Sequence, residues 1–143
     1  MKQRKGLRGD SRRLAIHCAR FLDENKLEDI TVFEVGACLG ISDYFVVATG
    51  RNARHLKAAS DKLLKELREQ GVQRYGVEGY ETCKWILVDL VDAVVHLFDT
   101  ESRRFYDLEL LWGDCPRLDW RADDAGFDAS ESTEALRRVA GDS

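Results

Sequence analysis

Asp89 and Asp92 are the two residues whose type and spacing come closest to a catalytic pair. Paired carboxylates can carry out general acid/base chemistry or hold divalent metals. Here they flank a predicted tight turn, where Asp is favoured because it bonds to the nearby backbone, and no glycine-rich phosphate loop precedes them. The sequence therefore predicts a protein that is not an enzyme, with no catalytic residue, metal or cofactor. A metal-dependent enzyme using these two carboxylates is the alternative.

Three histidines are scattered along the chain, and their positions predict no metal site. His17 has a cysteine beside it on a predicted helix, where adjacent side chains point to different faces. His55 lies in the first turn of another predicted helix, which favours a local hydrogen bond over catalysis. His96 alternates with Val94 and Phe98 on one side of a predicted strand. Two interpretations of His96 stay open: a half-buried polar group with satisfied hydrogen bonds, or an imidazole presented to a partner.

The chain has 143 residues and four cysteines, none of them in a C-x-x-C pair. Neither a zinc ribbon nor a redox motif is indicated, and we expect reduced thiols in a cytoplasmic protein. No apolar stretch approaches the roughly 20 residues of a membrane span. The charged N-terminus also lacks the apolar segment of a secretory signal. The sequence therefore favours a single small domain in the cytoplasm over a membrane or secreted protein.

The formal net charge of −4 is unevenly distributed. Residues 1–13 carry six basic side chains and one acidic side chain. Residues 14–112 carry 12 basic and 17 acidic side chains, and residues 113–143 carry four basic and eight acidic ones. The basic N-terminus fits either contact with nucleic acid or a solvated chain end. An RNA-binding protein acting through this N-terminus is thus a second alternative, whereas the acidic centre is better suited to a basic protein surface.

The apolar pattern places these residues on alternating helices and strands. One helix, capped by Ser11 or Asp10, is predicted to run to about Lys26, and a second begins after Asn52 as its cap. Strands are predicted at residues 30–35, 43–49, 75–78, 84–89 and 93–98, and residues 106–112 are predicted as a short helix or turn at the sheet edge. The strand, helix and strand over residues 43–78 imply a parallel pair, and the last two strands form an antiparallel hairpin. The fold class is α/β (or α+β), with a single mixed β-sheet of about five strands flanked by helices.

Six segments, in this order, resemble the ribosomal silencing factor family, also called Iojap. They are residues 42–50 (SDYFVVATG), 54–58 (RHLKA), 77–79 (VEG), 85–89 (WILVD), 92–98 (DAVVHLF) and 106–112 (YDLELLW). The resemblance covers about residues 14–118. The predicted organisation is a basic N-terminal extension over residues 1–10, a ribosomal silencing factor domain over residues 11–118, and an acidic tail over residues 119–143 that is disordered or partly helical.

The resemblance implies a cytoplasmic translational repressor without catalytic activity. Members of the family bind the large ribosomal subunit through its ribosomal protein fourteen, on the face that meets the small subunit. They block subunit joining sterically when nutrients are short. Their fold is similar to that of nucleotidyltransferases but lacks the active-site motif, so the alternative enzyme would be a metal-dependent, nucleotidyltransferase-like one using Asp89 and Asp92. Members also tend to form homodimers. No membrane partner is implied, and the basic N-terminus is a candidate for incidental contact with ribosomal RNA.

The residues expected to bind the ribosomal protein mix aromatic and polar side chains along three neighbouring strands. The predicted set is Asp43, Tyr44, Trp85, Leu87, Asp89, Asp92, Val94 and His96. One position departs from the family, which usually has Gly in the turn between the two aspartates where this chain has Val91. A β-branched residue tolerates a positive φ poorly, so the type of this turn, and how it presents the two aspartates, stays open.

Overall fold

The structure, a computed structural model, describes residues 10–73 and 76–122 of the chain. In chain order its elements are α1 (Ser11–Glu24), β1 (Glu28–Glu34), α2 (Gly36–Leu39), β2 (Tyr44–Gly50), α3 (Ala53–Glu69), β3 (Gly76–Glu78), β4 (Trp85–Asp89), β5 (Ala93–Asp99), α4 (Thr100–Phe105), α5 (Leu108–Trp112) and β6 (Arg117–Leu118). Helices flank one mixed sheet, which confirms the predicted fold class. The sheet gains a sixth, two-residue strand beyond the five predicted.

The strands are ordered β3-β4-β5-β2-β1-β6 across the sheet. β2 and β5 are the parallel neighbours, with Tyr44 opposite Ala93 and Gly50 opposite Asp99. The other neighbouring strands pair antiparallel. β2 is buried along nearly its whole length, as its almost continuous apolar run predicts for a strand covered on both faces.

The parallel partner of β2 differs from the sequence prediction, which paired it with the strand near residues 75–78. Instead, α3 crosses to β3 at the far edge of the sheet, and the β4–β5 hairpin lies between β3 and β2. β3 has only three residues, and none of them is buried. Such a strand suits an edge, whereas the more apolar β5 can be covered on both faces.

The two long helices, α1 and α3, cover one face of the sheet. Asp10 caps α1 by accepting a hydrogen bond from the Arg13 N–H (3.1 Å). Asn52 caps α3 by accepting one from the His55 N–H (2.8 Å), as predicted. The apolar stripes of both helices pack on the sheet to form the main core, which includes the side chains of Leu14, Leu22, Leu56, Leu63, Leu67, Val46, Ile86, Val95 and Leu97.

On the opposite side of the sheet, called the second face here, the described residues that cover it belong to α4, α5 and the turn that follows α5. A smaller core lies there, built from Phe33, Val35, Phe45, Val47, Phe98, Leu108 and Cys115, with Trp85, Val94 and Trp112 packed against it. The sequence predicts residues 106–112 at the sheet edge. They lie instead over the middle of the second face, because Trp112 contacts β1, β2 and β5.

The packed chain continues past residue 118, where the sequence placed the end of the domain. Trp120 is 6% exposed and donates a hydrogen bond from Nε1 to the Ile30 carbonyl (3.1 Å). Arg20 donates to the carbonyls of Trp120 (3.2 Å) and Ala122 (2.7 Å). Nearly all of the predicted N-terminal extension and most of the acidic tail lie outside the described residues. Within residues 10–73 and 76–122, no helix is long and apolar enough to cross a membrane.

Candidate functional site

His96 lies in the middle of the second face and is buried more deeply than its strand pattern suggested, at 3% exposure. Its Nδ1 atom accepts a hydrogen bond from Trp85 Nε1 (3.1 Å). The ring proton of the neutral imidazole therefore sits on Nε2, which is buried and has no hydrogen-bond partner among the described residues. Burial lowers the pKa of His96 to about 3. In this conformation the imidazole is neutral and covered, and not presented at the surface.

The covering layer over His96 is aromatic. The Trp112 ring lies 5.2 Å from the His96 ring, 5.0 Å from Phe45 and 5.7 Å from Phe33, measured between centroids. Tyr106 lies 4.9 Å from Trp85. Such tilted and edge-on aromatic contacts are each worth about 0.5–1.5 kcal/mol beyond the area they bury. These rings hold the α4 and α5 segments onto the sheet.

The outer side of α4 and α5 exposes large apolar side chains to solvent. The exposed fractions are 78% for Phe105, 37% for Tyr106, 84% for Leu110 and 48% for Leu111. We call these four residues, together with the partly exposed Trp85 and Trp112, the α4–α5 surface. Phe105, Tyr106 and Trp85 are in sequential ring contact, at 5.0 and 4.9 Å. Clustered exposed apolar groups of this kind mark interaction sites.

Sequence reasoning did not single out Phe105, Leu110 or Leu111 as candidates. A signal was present, because Leu110, Leu111 and Trp112 follow one another in a helix of only five residues. Neighbouring helical residues point in different directions, so such a helix cannot turn all of them towards the sheet. α5 turns Leu108 and Trp112 to the core and leaves the other two leucines outside.

The eight residues predicted to bind a partner are divided between different parts of the sheet. Trp85, Leu87, Asp89, Val94 and His96 share the second face, since alternate residues of β4 and β5 point the same way.

The other three predicted residues lie elsewhere. Tyr44 packs on the helix-covered core, on the opposite side of the sheet from Phe45. Burial and the charge of Glu34 raise its pKa. Asp43 and Asp92 are exposed at one end of the sheet, where the Asp43 N–H donates to the Asp92 carbonyl (3.1 Å). The predicted set thus splits into a second-face group, an end pair and one tyrosine on the opposite face.

The hairpin turn places Val91 at φ +73°, the left-handed region that a β-branched residue avoids. The Asp92 N–H donates to the Leu90 carbonyl (2.9 Å), which closes a three-residue γ-turn around Val91. Asp89 Oδ1 accepts from the Val91 N–H (2.8 Å). The first aspartate therefore stabilises the turn, the local backbone role that Asp often has at such positions.

The remaining histidines have structural contacts. His55 accepts at Nδ1 from the Arg51 N–H (3.1 Å), and its Nε2 lies 2.9 Å from the Asn25 carbonyl. This confirms the predicted local role beside the α3 cap. His17 Nε2 lies 2.7 Å from Glu66 Oε2 and joins α1 to α3. Across residues 10–73 and 76–122, no group of three or more His, Cys, Asp or Glu side chains is arranged to hold a metal ion.

The cysteines correct one sequence expectation, that all thiols are reduced. Cys38 of α2 and Cys115, after α5, form a disulfide with a Cα–Cα distance of 5.7 Å. Cys18 and Cys83 are buried free thiols. A search for C-x-x-C pairs could not find this bond, because its two cysteines lie 77 residues apart.

Comparison with known proteins places the chain in a family. The model of the family described as "Ribosomal silencing factor during starvation" matches residues 8–141. The ribosomal silencing factor of Halalkalibacterium halodurans is 36% identical over 98 residues, covering 68% of this chain and 84% of that protein. That of Bacillus subtilis is 35% identical over 97 residues, covering 68% and 82%.

A crystal structure of a Chromobacterium violaceum protein agrees with this match. It has a TM-score of 0.64 and 36% sequence identity, and the alignment covers 72% of this chain and 83% of that one. The relatives are named as silencing factors, a regulatory role and not an enzymatic one. The chain belongs to the ribosomal silencing factor family.

Proposed function

We propose that this protein binds the large ribosomal subunit through ribosomal protein fourteen and sterically blocks association with the small subunit, chiefly under nutrient limitation. The family match supports the ribosome as the target. A mouse relative, 34% identical over 94 residues, is named "Mitochondrial assembly of ribosomal large subunit protein 1", and that name supports the large subunit. A factor with this role acts in the cytoplasm, where the subunits join.

The single observation that supports this binding site is the exposure of large apolar side chains on the α4–α5 surface. Leu110 and Phe105 are 84% and 78% exposed beside two partly exposed tryptophans. Aromatic anchors in a fully desolvated patch carry most of the binding energy of protein interfaces. Covering one Leu side chain is worth roughly 1.5–3 kcal/mol, so a partner that buries this patch gains affinity from few residues.

We place the contact on the α4–α5 surface and on the adjoining second-face residues Leu87, Asp89 and Val94. Asp43 and Asp92 lie at the end of the sheet, where they can meet basic side chains of the partner. The acidic excess of residues 14–112 favours a basic ribosomal protein. Charge complementarity of this kind mainly raises the association rate and sets orientation.

Co-sedimentation with purified large subunits tests the proposal. Leu110→Asp replaces the most exposed apolar side chain of the surface with a charge. We expect binding about tenfold weaker or more, because the variant loses the burial of one Leu and would desolvate a carboxylate. The folded state should be little affected, since the residue is 84% exposed.

Ala58→Asp is the matched control, because Ala58 is an exposed residue of α3 on the other side of the sheet and the change adds the same charge. It should sediment with subunits as the unchanged protein does. Equal binding by Leu110→Asp would show that the surface is wrong. If the unchanged protein fails to bind large subunits, or binds them without hindering subunit joining, the proposed function itself is wrong.

A further inference from the structure

The Cys38–Cys115 disulfide lies beside the α4–α5 surface and is not explained by the proposed function. Cys38 is an exposed residue of α2, between β1 and β2. Cys115 is 4% exposed and belongs to the small core of the second face. Their Cα–Cα distance of 5.7 Å lies within the range of about 4.4–6.8 Å that a disulfide spans.

The disulfide fixes the chain at Cys115, three residues after the end of α5. The Cys115 N–H donates to the Trp112 carbonyl (3.0 Å), and Trp112 is the side chain that covers Phe45 and His96. The position of Cys115 therefore sets the end of α5, and with it the exposed residues Leu110 and Leu111.

The hydrogen-bonded elements of this segment are short. α5 has five residues and β6 has two, and helices this short are not stable by themselves. The Glu34 N–H donates to the Pro116 carbonyl (2.8 Å), and β6 adds two residue pairs to β1. A covalent link from Cys115 to α2 therefore adds to the aromatic contacts of Trp112 in keeping α5 on the sheet.

The two free thiols do not compete with this pair. Cys18 is fully buried, and burial raises its pKa to about 12. Cys83 is 2% exposed, and its Sγ donates to the Tyr80 carbonyl (3.1 Å). Thiol–disulfide exchange requires access to a sulfur atom, and Cys38 is the exposed cysteine among the described residues.

We propose that Cys38 and Cys115 form a thiol–disulfide switch that controls the order of α5 and, through it, the affinity of the α4–α5 surface for its ribosomal partner. The oxidised form, with α5 fixed, is the tight-binding form. The effect on affinity rests on the proposed function, whereas the effect on α5 does not.

The co-reactant is a dithiol, either a small molecule or a redox protein. In reduction, one of its thiolates attacks Cys38 Sγ, the bond between the two cysteines breaks, and Cys115 leaves as a thiolate and takes a proton. The second thiolate of the dithiol then attacks the mixed disulfide, and Cys38 leaves and takes a proton. Two electrons and two protons pass to the protein while the dithiol becomes a disulfide. Oxidation is the reverse reaction, with the oxidised dithiol as electron acceptor.

Amide hydrogen exchange of the full chain, without ribosomes, tests the structural part. Dithiothreitol should speed exchange at Leu111, Cys115 and Glu34, whose amides are hydrogen-bonded within or onto this segment. The amide of Val47 in the central sheet should be unchanged and serves as the internal reference. Unchanged exchange at all three positions, or no disulfide by intact mass under oxidising conditions, overturns the switch.

Binding to large subunits tests the functional part. If α5 is docked in a third to a tenth of reduced molecules, the apparent Kd rises about three- to tenfold. Cys38→Ser should bind as weakly as the reduced protein and should not respond to dithiothreitol. Cys83→Ser, which removes a thiol outside the switch, should respond as the unchanged protein does.

The two proposals fail in different ways. Equal affinity of the oxidised and reduced forms overturns the switch but not the proposed function. If neither form binds subunits, the proposed function and the affinity part of the switch are both overturned, while faster exchange on reduction would still establish the structural part.

Discussion

Replacing Val91 with Gly is expected to stabilise the protein, although it removes a side chain. Val91 is held at φ +73° by the hydrogen bond from the Asp92 N–H to the Leu90 carbonyl. The γ-turn with a positive φ is the rare and strained kind. Glycine adopts such a φ at no steric cost.

The size of the gain follows from three contributions. Relief of the backbone strain is worth about 2 kcal/mol, the middle of the range for a residue in a sparsely populated region. The extra backbone freedom of Gly in the unfolded chain costs about 0.5–1 kcal/mol. Val91 is 56% exposed, so truncating its side chain costs roughly another 0.5 kcal/mol. We expect a net increase of about 0.5–1 kcal/mol in the free energy of unfolding.

Ile41→Gly is the matched control, because Ile41 is also β-branched, is 70% exposed and does not have a positive φ. Its free energy of unfolding should fall by about 1 kcal/mol. The variant gains the backbone freedom of Gly in the unfolded chain and loses side-chain burial, but no backbone strain is relieved. Urea unfolding without reductant, followed by circular dichroism, measures the free energy of unfolding of both variants. The comparison holds where the m-values of the variants equal that of the unchanged protein. If Val91→Gly is destabilised as much as Ile41→Gly, the turn is not strained and the reasoning fails.

Two further predictions concern His96 and Gly79. The pKa of His96 is about 3 in the folded protein, against an ordinary value of 6.5. Between these two pH values the unfolded chain binds more protons than the folded protein does. The free energy of unfolding therefore decreases as the pH falls, by up to about 1.4 kcal/mol per pH unit. His96→Phe should flatten that slope in urea titrations between pH 6.5 and 4, and an unchanged slope would contradict the burial of a neutral imidazole. Gly79 has φ +81°, and a Cβ there would overlap the Trp85 carbonyl oxygen, so Gly79→Ala should lose about 2–3 kcal/mol of unfolding free energy. Gly76→Ala, where nothing lies within 4 Å of a Cβ, should stay within about 1 kcal/mol of the unchanged protein, and similar losses in the two variants would refute the steric argument.

Local features of the fold could be predicted from the sequence because their causes lie within a few residues. Asn52 caps α3, since its side chain reaches an amide three residues ahead. Val94, His96 and Phe98 share one face because strand residues alternate. The six segments that resemble the family also come from the sequence alone, and the family match confirms the family.

The candidate site depended on contacts between distant parts of the chain. Whether His96 faces a partner or the core is decided by Trp112, which covers it from 16 residues further along the chain. The exposure of Leu110 likewise depends on how α5 lies over the sheet. No local pattern encodes either result.

The sequence by itself determined the family, the fold class, the cap of α3 and the alternation of each strand, because propensity, capping and periodicity act over short distances. Only the tertiary structure decided that β5 lies beside β2, that Cys38 meets Cys115 across 77 residues, and that Val91 adopts a positive φ. These outcomes come from packing the whole chain around one sheet. The burial of apolar side chains there outweighs local preferences, such as the preference of a β-branched residue like Val91 for a negative φ.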